Sequence, residues 1–97
     1  MSRNLERNQE ATCYVGNLDE RVTDEIIWEL MLQVGPVAHI YLPKDRISQM
    51  HQGYAFAEYC TESDAEYACR LMNGIKMYGK QILVNMSSNY KQSVSYT

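Results

Sequence analysis

Tyr14, Tyr54 and Phe56 are the residues of this chain whose types and spacing best suit a chemical task, and that task is stacking. The flat face of an aromatic ring takes a nucleobase, and each such stack is worth about 1–3 kcal/mol. In the segment Gly53-Tyr54-Ala55-Phe56-Ala57-Glu58-Tyr59, rings alternate with small residues, and Tyr14 stands between the compact apolar residues Cys13 and Val15. If Val15, Ala55, Ala57 and Tyr59 point into a core, the period of two along a strand sends Tyr14, Tyr54 and Phe56 to the opposite face. The rings meet only if the two segments are neighbouring strands of one sheet, so the elements around them decide whether the chemistry exists.

Those elements are legible in order. Residues 12–18 form a β-rich run closed by Gly16-Asn17, followed by a polar loop, Asp19-Glu20-Arg21. Thr23 then precedes Asp24 and Glu25, a helix N-cap followed by acids that suit the positive end of the helix dipole. An apolar run carries this helix to Val34, and Gly35-Pro36 stops it. Residues 37–42 alternate as a second strand, with Ile40 and Leu42 on one face and His39 and Tyr41 on the other. A polar loop over residues 43–51 holds Lys44, Asp45 and Arg46, and residues 52–59 make the third strand. Thr61-Glu62-Ser63-Asp64 resembles a capping arrangement and opens a second helix, residues 62–72, that ends at Asn73-Gly74. After a Tyr78-Gly79 turn, residues 81–86 return as a fourth strand with Ile82 and Val84 on one face. The order βαββαβ predicts an α+β, ferredoxin-like sandwich, with a four-stranded antiparallel sheet and two helices on one face. Residues 1–11 are then a flexible N-terminal segment, residues 12–86 the domain, and residues 87–97 a tail or linker.

Composition narrows the function classes. With 97 residues the chain has room for one core. No stretch approaches the roughly 18 apolar residues of a membrane span, and the polar, mixed-charge start has no secretory apolar run. Cys13, Cys60 and Cys69 lack metal-type spacing and are expected to be reduced thiols, while neither His39 nor His51 has a Cys or carboxylate at zinc-like spacing. No phosphate cradle or positioned base surrounds Arg21, so no enzyme, cofactor or small-molecule substrate is expected. The net charge of −3 runs against phosphate-driven binding, which needs clustered Lys and Arg. If nucleic acid binds here, the bases must supply much of the affinity.

A second surface emerges from the helices. Taking Ile27 as core predicts Leu30, Met31 and Val34 facing inward and leaves Ile26, Trp28 and Leu32 on other sides. In the second helix Ala65, Ala68, Cys69 and Met72 supply the core, while Tyr67 and Leu71 fall outside it at i, i+4 spacing. Exposed Trp and Tyr are typical anchors of a protein interface; a wider core within the domain is the competing reading.

Two segments carry a family resemblance. Gln52-Gly53-Tyr54-Ala55-Phe56-Ala57-Glu58-Tyr59 resembles the longer signature of the RNA-recognition motif (RRM), and Cys13-Tyr14-Val15-Gly16-Asn17-Leu18 resembles its shorter partner. The resemblance implies that Tyr14 and Phe56 stack on two successive bases of single-stranded RNA, that Tyr54 packs against the sugars between them, and that Tyr59 is core. His39, Tyr41, Leu83 and Asn85 would complete the RNA face, with Lys44 and Arg46 reaching phosphates. Gln52 stands where the family carries Arg or Lys, which removes a phosphate-pairing charge, and Ala57 replaces a larger aliphatic residue.

More specifically, the stretch from Glu6 to Met86 is similar to the first RRM of the splicing factor 3b subunit 4 family. Its Glu6-Arg-Asn-Gln-Glu-Ala-Thr, Trp28-Glu-Leu, Gly35-Pro-Val, Pro43-Lys-Asp-Arg and His51-Gln-Gly-Tyr carry the likeness. That resemblance implies a nuclear, spliceosomal protein of the branch-site snRNP that contacts pre-mRNA just upstream of the branch site. Its helical face would dock a segment of the large proline-rich subunit of the same complex; family members carry a second RRM after this domain, which leaves residues 87–97 as either a linker or the end of a reduced homologue. The alternative is a protein-interaction domain with little or no RNA binding of its own.

Overall fold

Two threonines start the two helices. The Thr23 hydroxyl accepts from the Ile26 amide at 3.2 Å and opens α1 (Asp24–Leu32), and Thr61 accepts from the Asp64 amide at the same distance to open α2 (Glu62–Met72). The computed structural model describes residues 8–88, so residues 1–7 and 89–97 of the expected flanking segments lie outside the described residues. Four strands, β1 (Thr12–Gly16), β2 (Val37–Tyr41), β3 (Ala55–Tyr59) and β6 (Leu83–Met86), pair antiparallel in the order β2-β3-β1-β6. Thus β1 and β3 are the central neighbours, and both helices cover one face. A short ribbon of β4 (Lys76–Met77) and β5 (Lys80–Gln81) turns at Tyr78-Gly79, both at positive φ as a two-residue hairpin loop requires.

The core is filled from both layers. Cys13, Val15, Ala55, Ala57, Tyr59 and Val84 from the sheet, with Ile82 just before β6, meet Ile27, Met31, Ala65, Ala68 and Met72, all buried. Tyr59 keeps its hydroxyl satisfied in this apolar setting by donating to the Met31 carbonyl at 2.6 Å, and burial pushes its pKa up.

Several expected boundaries move for local reasons. Asn17 adopts a left-handed φ of 59°, which ends β1 at Gly16, not at residue 18. Opposite it, Gly53 at φ 93° breaks the strand entry, so regular pairing of β3 starts at Ala55, although Leu18 still donates to the Gly53 carbonyl at 2.9 Å. The first helix stops at Leu32 because the amides of Gln33 and Val34 turn back three residues to Leu30 and Met31, ahead of Gly35-Pro36. The strand expected over residues 81–86 is divided, with Gln81 in the β4–β5 ribbon and β6 beginning at Leu83. At the N-terminal end, Gln9–Ala11 forms a 3-10 turn against α2, Ala11 is buried, and the Ser87 hydroxyl reaches the Gln9 side chain at 3.3 Å. Residues 8–11 and Ser87 therefore pack on the domain, where a flexible segment and a tail were expected.

The second strand holds a device that alternation cannot express. Val37 pairs with Tyr59 and His39 with Glu58, so Ala38 is an extra residue, a β-bulge. This lets Val37 and Ile40 both pack against the core while His39 and Tyr41 stay on the outer side.

Candidate nucleic-acid interface

On the outer side of the sheet the pairing registers line up one row from edge to edge. Tyr41 is opposite Phe56, Phe56 opposite Tyr14, and Tyr14 opposite Asn85. The row follows from sequence: each of these residues flanks one that is buried (Ala55, Val15, Val84) or packed against the core (Ile40), and neighbours along a strand face opposite ways. The Tyr14 and Phe56 rings meet edge-on, 5.8 Å between centroids and 67° between planes. Tyr54, just before β3, joins them: its ring is stacked beside Tyr14 at 6.0 Å and 21°, and edge-on to Phe56 at 5.9 Å and 82°. The three rings thus form one cluster of half-buried aromatic surface. His39 and Tyr41 extend it along β2, with centroids 5.7 Å apart.

Two residues outside the expected set shape this surface. Gly16 leaves room for the Tyr14 ring, because a Cβ there would lie 2.7 Å from both Cε2 and the hydroxyl oxygen of Tyr14. Nothing in the sequence signals that ring lying over the glycine two residues on. Glu58 lies on the same outer side, opposite both Thr12 and His39; its carboxylate accepts from the Tyr41 hydroxyl at 3.4 Å and from the Asn8 amide at 3.2 Å. Alternation from Phe56 was sufficient to place it there. A carboxylate on this face repels phosphate and favours recognition through bases.

The remaining expected residues are placed as follows. Leu83 and Asn85 are exposed on β6, Leu83 opposite Gly16. Gln52 is exposed at one end of the sheet and lines a cleft with Leu18, Asp19, Glu20, His51, Gly53 and Lys80. Lys44 and Arg46 are exposed in the β2–β3 loop, past the end of the ring cluster, where Lys44 forms a backbone bridge with His51. Asp45 organises that loop by accepting from the Ile47 and Ser48 amides at 3.0 and 2.8 Å, which lowers its pKa.

Around the cleft, His51 fastens two loops. The Gly53 amide donates to His51 Nδ1 at 2.9 Å, so Nε2 carries the proton and donates to the Asp19 carbonyl at 3.0 Å. Next to it the Asp19 carboxylate pairs with Arg21 at 2.8 Å, and the Arg21 guanidinium holds Asp19 down to a pKa of about 2. The same guanidinium sits over the Tyr78 ring, 4.6 Å from its centroid.

On the helical side, Trp28, Leu32, Tyr67 and Leu71 are all exposed, between 41% and 48% of their surface. Trp28 lines a cleft at the α1–β2 seam with Asp24, Glu25, Ala38, His39 and Ile40. Ile26 differs from the expectation. It is half-buried and packs against the core, because its side of α1 still faces the domain interior. Among the described residues no group of three or more His, Cys, Asp or Glu side chains is placed to hold a metal ion, and no helix is long and apolar enough to cross a membrane.

Residues 13–83, which carry this aromatic cluster, are matched by a family model described as "RNA recognition motif". The chain belongs to the RNA recognition motif family. This is a family of binding domains, not of enzymes. Among curated proteins, the RRM is similar to Splicing factor 3B subunit 4 of Homo sapiens, 53% identical over 92% of this chain and 21% of that protein. It is also similar to Spliceosome-associated protein 49 of Schizosaccharomyces pombe, 52% identical over 91% of this chain and 26% of the relative. The chain therefore spans about a fifth to a quarter of the length of these relatives. Among solved structures, the Rna15 RRM with bound RNA (GU) matches with a TM-score of 0.75 at 29% identity, covering 81% of this chain and 84% of that one.

Proposed function

We propose that this RRM binds single-stranded pre-mRNA on the open sheet face, with Tyr14 and Phe56 stacking on two successive bases and Tyr54 packing against the sugars between them. The observation that carries the reading is the cluster of three rings whose centroids lie 5.8–6.0 Å apart, in register across the two central strands. His39, Tyr41, Leu83 and Asn85 flank the bound strand, Gln52 meets it at the sheet end, and Lys44 and Arg46 contact phosphates from the loop. In this reading the RNA is pre-mRNA near the branch site and the compartment is the nucleus, a reading supported by the likeness to a splicing factor and a spliceosome-associated protein. The helical side docks a protein partner, the large proline-rich subunit of splicing factor 3b, through Trp28, Leu32, Tyr67 and Leu71.

Titration of the chain with short single-stranded RNA at low salt tests the sheet face. Amide shifts are expected at Tyr14, Tyr54 and Phe56, and the Tyr14→Ala/Phe56→Ala double variant is expected to lose them while remaining folded. Binding unchanged in that variant removes the stacking mechanism. A second reading, a domain that only binds protein, is favoured by the Glu58 carboxylate on the open face and by Gln52 in place of a cation. It predicts no RNA shifts at all while the partner subunit is still captured.

A further inference from the structure

Beneath the ring cluster, a pair of sulfurs has no part in the function proposed above. Cys13, fully buried in β1, and Cys69, half-buried on α2, hold their Sγ atoms 3.8 Å apart, although 56 residues separate them along the chain. A disulfide needs sulfurs about 2.0 Å apart, so closure brings these two nearer than they stand in the reduced protein. We propose that Cys13 and Cys69 are a peroxide-reactive thiol pair: Cys69 is the sulfur that attacks, Cys13 the thiol that resolves, and the product is a disulfide joining β1 to α2.

The division of labour follows from position. Cys13 lies inside the sheet–helix core, where its single S–H can turn either to the Ala65 carbonyl at 3.2 Å or to Cys69 Sγ, and where it is closed to an aqueous oxidant. Cys69 is reached from solvent and sits beside Arg70. The hydrogen bond from Cys13 lowers the Cys69 pKa, partly offset by burial, and the same contact together with burial raises that of Cys13. In the first step the Cys69 thiolate attacks one oxygen of hydrogen peroxide. The O–O bond breaks, hydroxide leaves, and the proton earlier lost from Cys69 converts it to water. The Cys69 sulfenic acid is then attacked by the Cys13 sulfur; the S–S bond forms, the S–O bond breaks, and a second water departs with the Cys13 proton. Two thiols and one peroxide become one disulfide and two waters.

Cys60, exposed at the end of β3, serves as an internal reference. In the Cys60→Ser chain, dilute hydrogen peroxide is expected to consume both remaining thiols and to lower the mass by about 2 Da, reversibly with dithiothreitol. Digestion should yield one linked peptide pair, and the amide of Tyr14, next to Cys13, should shift. With Cys13→Ala, or Cys13→Val if the alanine leaves a void that unfolds the strand, Cys69 should stop as a sulfenic acid that dimedone captures. With Cys69→Ser, Cys13 should stay unmodified in buffer yet react in urea. The proposal is overturned if both thiols survive a peroxide dose that oxidises Cys60 in the unaltered chain. It is equally overturned if Cys69 gains two oxygens, or links to a second chain, while Cys13 remains a thiol.

Discussion

Tyr14 and Trp28 are both large aromatic residues partly open to water, but the molecule holds them in different ways. Tyr14 lies in the middle of the sheet, paired on one side with Phe56 and on the other with Asn85. Its ring is confined by Tyr54, Phe56 and the hollow above Gly16. Trp28 stands on a helix at the edge of the domain, over a shallow cleft against β2. A ring fixed by two backbone ladders can present its face at a set height and angle to a flat ligand. One on a helix flank offers apolar area whose use depends on what covers it. The sheet face is thus a prepared site and the helical side a surface of opportunity, and substitutions can separate the two.

The largest effect is expected from the Tyr14→Ala/Phe56→Ala double variant. Loss of two stacks at about 1 kcal/mol or more apiece weakens short-RNA binding by about 30-fold or more, measured by fluorescence anisotropy. Trp28→Ala is the mirror experiment. It should abolish capture of the protein partner, leave RNA affinity unchanged, and cost about 1–2 kcal/mol in urea unfolding, below the 3–5 kcal/mol of a fully buried Trp. A cost at the upper value would instead make Trp28 part of the core. Gly16→Ala probes the hollow: the added methyl must displace the Tyr14 ring, with changed ring-current shifts at Tyr54 and RNA binding weaker by about fivefold.

Glu58→Gln removes the carboxylate from the sheet face and should strengthen RNA binding about twofold at low salt, with the gain fading as salt rises. The smallest effect concerns the loop beside the cleft. Folding lowers the Asp19 pKa from 3.8 to about 2, so its pairing with Arg21 helps the folded state fully above the ordinary carboxylate pKa. That help disappears as pH falls through about 2. Asp19→Asn should therefore flatten the acid side of a urea-midpoint profile slightly and leave it unchanged at neutral pH. The Arg21 guanidinium is largely exposed, so solvent screens the pair.

The core was readable to the extent that period decides it. Ile27 and Met31 on α1, Ala65 and Ala68 on α2, and Val15, Ala57 and Val84 in the sheet are all buried where helical or strand spacing puts them. Both helix starts were written in Thr23 and Thr61, whose side chains can reach the third amide onward whatever else the chain does. The flanks were harder. Ile26 packs against the core because the width of a helix's buried stripe depends on how deeply the helix sits on the sheet. The bulge at Ala38 depends on which residues of β3 lie opposite, and a single strand does not carry that information.

By itself, the sequence determined the order of elements, the alternation that separates rings from core, and the family signatures, because these depend on neighbours within a few residues. Only the tertiary structure decided that Tyr41, Phe56, Tyr14 and Asn85 form one row, that the Glu58 carboxylate meets the Tyr41 hydroxyl and the Asn8 amide, and that the sulfurs of Cys13 and Cys69 meet. Each of these is a distance between residues far apart in the chain. Such distances are set by strand register and by the seating of helices on a sheet, where packing of the whole core chooses among alternatives that local propensity leaves equal.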